Sequence, residues 1–309
     1  MIETFQAVLP HGITLSCRAS GRVGAPVLVF LHGFPEAAFV WDELLEHFGS
    51  HYRCVAPNLR GFEHSSSPAS PEAYCVKHLL ADLEALLDQL GASEVAPIAA
   101  LVAHDWGGAV AWSYAVQRPA MLERLVIINS PHPATFLREL QRNPAQQAAS
   151  AYMNFLCRPD AESLLAQDDF ARMWPMFTHM GAADTARTGG GWLTEAVRDQ
   201  YRGVWRLGLT GGCNYYRASP IRPPTATDTS IMQIVFEPAH VTVTLPTLVV
   251  WAEDDTALPI ALVDGLDAFV PNMRLVRVPG ATHWIVHERP RFMIDQIEHE
   301  LVGRNVSKP

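Results

Sequence analysis

The stretch Val102-Ala103-His104-Asp105-Trp106-Gly107-Gly108 lies where an apolar run, Val95–Val102, gives way to a helical pattern over Gly107–Gln117. Two glycines after Asp105 remove side-chain bulk where a strand turns abruptly into a helix, and such a turn presents the intervening side chain to a cleft. A helix start also offers unpaired N–H groups and a potential that favours negative charge, so a carboxylate there is stabilised as an anion. Aspartate is equally a preferred helix cap, and this segment alone leaves both roles open.

Working outward, Val27–Leu31 (VLVFL) reads as a buried strand that stops at His32-Gly33, and Val55-Ala56 as a weaker one that stops at Pro57. His78–Leu90 spaces Leu79, Leu83, Leu86, Leu87 and Leu90 as a helix does. Leu125–Ile128 is a further strand, halted by Asn129-Ser130-Pro131. Strands alternating with helices in this way predict an α/β fold with a mostly parallel central sheet flanked by helices. From about Phe136 to Arg222 the chain turns rich in Ala, Gln, Arg, Trp and Met, with Gly189-Gly190-Gly191 as a flexible break. The strand pattern returns at Thr247–Trp251 and Met273–Val278, while Val241–Val243 reads as irregular or as a short strand. The expected organisation is one core made of residues 1–133 and 231–309, with a helical lid over 134–230 inserted into it.

The bulk properties narrow the function classes. In 309 residues, 23 Lys plus Arg face 32 Asp plus Glu for a formal charge of -9, and no basic cluster appears, which disfavours a nucleic-acid partner. Five scattered cysteines argue against a disulfide framework or a zinc cluster. No dinucleotide loop or metal-ligand spacing is present, so no cofactor and no metal are expected. The N-terminal residues lack the pattern of a secretory leader and the apolar runs are too short for a bilayer, so the expectation is a cytoplasmic protein, off the membrane, monomeric or homodimeric.

In open parallel sheets ligands bind beyond the carboxyl ends of the strands. Four strands here end in reactive or shape-setting residues: Leu31 before His32-Gly33-Phe34-Pro35, Val102 before His104-Asp105-Trp106, Trp251 before Asp254-Asp255, and Val278 before Gly280-Ala281-Thr282-His283. The chain order nucleophile, acid, histidine suits a hydrolase of this architecture, with Asp255 orienting His283 and His283 taking a proton from water. Glu253 and Asp254 stand beside Asp255, so the acid's location is firmer than its identity. The N–H groups of Phe34 and Trp106 are placed to hold negative charge developing on an acyl oxygen. No hydroxyl or thiol occupies the turn, since Ser113 falls inside the helix. That disfavours serine-type ester cleavage and suits carboxylate attack at an sp³ carbon, followed by cleavage of the alkyl–enzyme ester by activated water.

With these segments assembled, the chain resembles the α/β-hydrolase family in its epoxide hydrolase branch. The matching pieces are His32-Gly33-Phe34-Pro35-Glu36, Asn58-Leu59-Arg60-Gly61, His104-Asp105-Trp106-Gly107-Gly108, Asn129-Ser130-Pro131-His132-Pro133, Asn214-Tyr215-Tyr216-Arg217, Asp255 with Pro259, and Gly280-Ala281-Thr282-His283-Trp284. The resemblance implies Asp105 as nucleophile, His283 as base, Asp255 as its acid partner and Phe34 with Trp106 as the oxyanion hole, with Pro35 as a cis proline. It implies two lid tyrosines, Tyr216 and Tyr152, that grip and protonate the epoxide oxygen; Tyr215 and Tyr201 are the nearest other choices. His32, Pro35, Phe155 and Trp284 are expected to contact a small apolar epoxide. Glu63 stands where the family's arginine-glycine-x-glycine loop has its second glycine, in a loop near the cleft. Haloalkane and haloacid dehalogenases, which use the same Asp-His-Asp machinery, are the competing reading, although Phe34 replaces the second halide-binding group expected of the former.

Overall fold

The computed structural model describes residues 1–182 and 191–302. Gly189 and Gly190, two of the three residues of the expected flexible break, lie outside the described residues. Eight strands form one sheet in the order β1-β2-β4-β3-β5-β6-β7-β8. Strands β3 (Val27–Leu31), β4 (Arg53–Pro57), β5 (Ala100–His104), β6 (Leu125–Ile128), β7 (Thr247–Ala252) and β8 (Met273–Val278) run parallel. The antiparallel pair β1 (Glu3–Val8) and β2 (Thr14–Ser20) closes one edge.

The central strands are apolar except at their ends, where Arg53, His104 and Thr247 stand, because both faces of the sheet are covered. Alternate residues point to opposite sides. Val29, Leu31, Leu101, Ala103, Leu125, Ile127 and Val249 pack against α2 (Val76–Gln89) and α3 (Asp105–Gln117). Leu28, Phe30, Val102, Val126, Ile128, Leu248 and Val250 instead meet α1 (Asp42–Phe48) and the C-terminal α12 (Pro290–Val302), which follows the one-turn α11 (Ile285–Glu288).

Between β6 and β7 the chain leaves the sheet for a helical layer. It contains α4 (Pro133–Arg142), α5 (Pro144–Ala149), α6 (Ala151–Leu156), α7 (Ala161–Phe170), α8 (Met173–His179), α9 (Glu195–Arg206) and α10 (Thr210–Ala218). Its own aromatic core carries it onto the sheet: Phe177 stacks on Trp284 with ring centres 4.2 Å apart and meets Tyr201 and Trp205. Val241–Val243 forms no strand, although Val241 and Val243 are buried. No helix among the described residues is long and apolar enough to cross a membrane.

Candidate active site

Asp105 is the first residue of α3 and adopts φ 49°, a left-handed conformation that most side chains avoid and that aspartate tolerates better than most. The turn survives because its surroundings leave it room. A Cβ on Gly107 would run into the carbonyls of Leu31 and His32, and a Cβ on Gly33 would collide with the Asp105 carboxylate itself. Ser130 Oγ donates to the Asp105 carbonyl at 2.7 Å and braces the elbow. The Phe34 N–H, from the loop after β3, donates to Asp105 Oδ1 at 2.8 Å, and Trp106 contributes an N–H from the start of α3. The Phe34–Pro35 peptide bond is cis.

His283 follows β8 and is 3% exposed. Its Nδ1 meets Asp255 Oδ2 at 2.7 Å, while Nε2 lies 4.0 Å from Asp105 Oδ2, beyond hydrogen-bond length. Asp255, just past β7, also accepts from Asn129 Nδ2 at 2.7 Å and from the N–H groups of Ala257 and Leu258 at 2.9 Å each. Burial would push this carboxyl up, but the His283 charge and these donors hold it below its ordinary value. Burial likewise works against charge on His283, yet Asp255 and then Asp105 outweigh it and push the imidazole up to about 9. The two carboxylates on either side of His283 thus favour its charged form. Asp254 and Glu253 do not share this place: Glu253 pairs with Arg277 on the exposed side.

Across the opening stand the lid tyrosines. Tyr152 on α6 and Tyr216 on α10 have ring centres 6.0 Å apart, and Tyr216 packs edge-on against Trp106 at 5.1 Å and Phe34 at 5.4 Å. Burial first, and the neighbouring Asp105 carboxylate with it, push both phenols above the ordinary tyrosine range, so they remain donors. Tyr215 is engaged elsewhere, donating to the Arg60 carbonyl at 3.0 Å, and Tyr201 donates to Glu36 at 3.0 Å.

Asp105, Trp106, Tyr152 and Tyr216 share the wall of a mostly apolar cavity of roughly 470 Å³. His32, Pro35, Phe155 and Trp284, expected at the substrate, do not line it. His32 is fully buried and its Nε2 accepts from the Leu59 N–H at 3.0 Å. The Pro35 carbonyl accepts the Trp205 indole N–H at 2.8 Å, and the Trp284 indole N–H donates to the Phe177 carbonyl at 3.0 Å. Phe155 lies beneath the Arg158 guanidinium, 6.0 Å from its ring. Glu63 is also outside the cavity wall; its carboxylate turns back to Asn58 and Ser16 from a φ of 48°.

A model of the alpha/beta hydrolase fold matches residues 26–290. The chain belongs to the alpha/beta hydrolase fold family. Epoxide hydrolase 4 of Mus musculus is 32% identical to it over 287 residues, which are 90% of this chain and 74% of that protein. A solved structure from the novel epoxide hydrolases found in metagenomes of hot environments is 34% identical with a TM-score of 0.85, covering 98% of this chain and all of that one. A mutant epoxide hydrolase of Bacillus megaterium, solved with its naphthyloxypropane-1,2-diol product, is 26% identical with a TM-score of 0.83, covering 96% and 99%.

Two features of this α/β hydrolase's site went unread in the sequence. Asn129 follows β6 directly at φ 39°, and its side-chain amide both donates to Asp255 and accepts the Ala252 N–H at 2.9 Å. Its signal was available: asparagine tolerates left-handed backbone better than most residues, and it stands at a strand end beside the others. The second is a buried carboxylate, Glu36, 1% exposed. Glu36 Oε2 meets His104 Nδ1 at 3.0 Å, while His104 Nε2 reaches the His283 carbonyl at 3.0 Å. Its other oxygen meets Tyr201 at 3.0 Å and His287 Nε2 at 3.2 Å, so one carboxylate ties lid helix α9 to the loop carrying the histidine.

Proposed function

We propose that the protein is an epoxide hydrolase, adding water to an epoxide to give a vicinal diol, with residues 134–230 serving as lid over a core of 1–133 and 231–309. The observation that carries this reading is the pair of protonated phenols, Tyr152 and Tyr216, sharing one cavity with the Asp105 carboxylate. An alkoxide is a poor leaving group, and neutral donors beside it are what its departure requires. The family relatives named epoxide hydrolases, one of them solved with a vicinal diol, agree with it.

In the first step an Asp105 oxygen forms a bond to an epoxide carbon. The C–O bond of the ring breaks, and its electron pair takes a proton from a lid tyrosine. The enzyme is left as a neutral alkyl ester. Removing the Asp105 anion removes part of what keeps His283 charged, so alkylation itself lowers the imidazole pKa toward its working range as a base. A proton from the imidazolium restores the tyrosine, and neutral His283 then takes a proton from water as the hydroxide attacks the ester carbonyl. The N–H groups of Phe34 and Trp106 hold the resulting oxyanion, and its collapse releases the diol and regenerates Asp105.

The deciding assay measures diol formation from a styrene-oxide-type panel beside halide release from haloalkanes and fluoroacetate. Diol without halide is the expected result. Halide release without diol would replace this reading with a dehalogenase.

A further inference from the structure

The cavity does not end at the reacting groups. Along α3, Asp105, Trp106, Ala109, Val110, Trp112, Ser113, Val116 and Gln117 all line it. At 3.6 residues per turn these positions fall on roughly half of the helix circumference, one stripe running the helix's full length. From Asp105 to Gln117 the stripe measures about 18 Å at 1.5 Å per residue. Its floor is low because Ala109 and Ser113, one and two turns beyond Asp105, are small. The Ser113 hydroxyl is turned away from any ligand, donating to the Ala109 carbonyl at 3.1 Å. Away from α3 the lining is mostly apolar, with Leu79, Pro131, Phe136, Ile221 and Phe236, and His132 and His240 also contribute to it. None of the described lining residues is Lys or Arg. At the far end Gln117 is exposed and Val76, also on the wall, is 48% exposed, so the groove opens to solvent there.

A compact ring would leave most of such a groove empty, and a branched chain would meet the bulky Trp112 and Phe136 that also line it. We infer that the substrate is an epoxide carrying an unbranched, uncharged aliphatic chain of about a dozen carbons or more, laid along α3 from Asp105 toward Gln117. This rests on the epoxide hydrolase reading and specifies which epoxide. A fully extended chain advances about 3.6 Å per three backbone bonds, or about 1.2 Å per bond, so the stripe accommodates about 15 bonds. Ser113, about 12 Å from Asp105, and Val116, about 16 Å away, mark off this length as about 10 and about 14 bonds.

The test is a ladder of 1,2-epoxyalkanes from four to sixteen carbons, with kcat/KM for diol formation measured on the wild-type chain, Ser113→Phe and Val116→Trp. In the wild type kcat/KM rises with each methylene, by up to about fourfold, the factor equivalent to burying one CH₂, and levels off near fifteen carbons. Ser113→Phe levels off near ten carbons and Val116→Trp near fourteen, while both turn over epoxybutane within about twofold of wild type. Ser113→Leu, a smaller block, gives the same shortened ladder if the phenylalanine variant fails to fold. A ladder that is flat in the wild type, or a limit that does not move when position 113 is filled, overturns the chain-length inference while leaving diol formation intact. Absence of diol at every length overturns the epoxide reading itself.

Discussion

Asp105 and His283 face each other across 4.0 Å, and the division of labour proposed for them separates in single-residue variants. Asp105→Asn should form no covalent adduct and no diol. His283→Gln retains the nucleophile but lacks the base, so turnover should fall about 10²–10⁴-fold, the usual contribution of a general base. Intact-mass measurement should then find His283→Gln heavier by one substrate per chain. An unmodified His283→Gln chain would mean that attack does not come from the carboxylate. The geometry of the elbow gives a second prediction. A methyl group on Gly33 would occupy the space of the Asp105 carboxylate, so Gly33→Ala must push the nucleophile off line. A misplacement of about 1 Å costs on the order of 10²-fold in rate, and that loss is expected in kcat, with a far smaller change in thermal stability. Equal rates in Gly33→Ala and wild type would show that the carboxylate works from another position.

At the scale of elements, α6 and α10 deliver one phenol each, and the two phenols approach the same small region above Asp105. Tyr152→Phe and Tyr216→Phe should each slow alkylation, because the remaining phenol still donates, while the double variant should lose about 10²–10⁴-fold. Rapid-quench measurement of ester formation checks this; slowing of ester breakdown alone would place the tyrosines in the wrong half-reaction. The parallel strands that carry the other groups were legible. Val27–Leu31 and Leu125–Ile128 have the read boundaries, because strands buried on both faces are short, continuous apolar runs. Met273–Val278 also keeps its read bounds, although it is the partly exposed edge strand and carries Arg274 and Arg277. The edge pair β1 and β2 was not read: in Glu3–Val8 only Ala7 is buried, so no apolar run marks it. The run from Val95 was read five residues too early, since Val95 is 96% exposed and the strand begins at Ala100. Among the site residues, those at strand ends came from pattern, and the cavity wall did not. Trp284 reads as an aromatic beside a histidine, but only the fold shows that it faces Phe177 and not the ligand. Glu36 and Asn129 matter through partners more than 60 residues away in sequence, His104 and Asp255, and no local spacing encodes such contacts.

Over the whole molecule, the buried titratable groups fix how stability responds to pH. His32 and His132 are held neutral by burial, which pushes both down from 6.5 to about 4. The unfolded chain binds their protons below about pH 6.5 and the folded chain does not, so stability falls as pH drops through that window. Two protons give about 2.7 kcal/mol per pH unit. Glu36 and Asp255, held below their ordinary values, extend the loss at still lower pH as the unfolded carboxylates protonate first. On the alkaline side the sign reverses. Asp255 keeps His283 charged up to about pH 9, so its contribution is complete below 6.5 and lost as pH rises toward 9, at about half the acid slope. Above pH 9 the loss steepens, because burial pushes Cys17, Cys54 and Cys213 from 9.0 up to about 12, and their thiols ionise first in the unfolded chain. The expected profile from urea unfolding is a dome centred near pH 6.5, with a steep acid limb and an alkaline limb that bends downward near pH 9. His283→Gln should flatten the stretch between 6.5 and 9 and leave the bend in place. If that stretch already lies flat in the wild type, His283 is not charged beside Asp105 in the resting enzyme, and the proton accounting of the first catalytic step has to be rewritten.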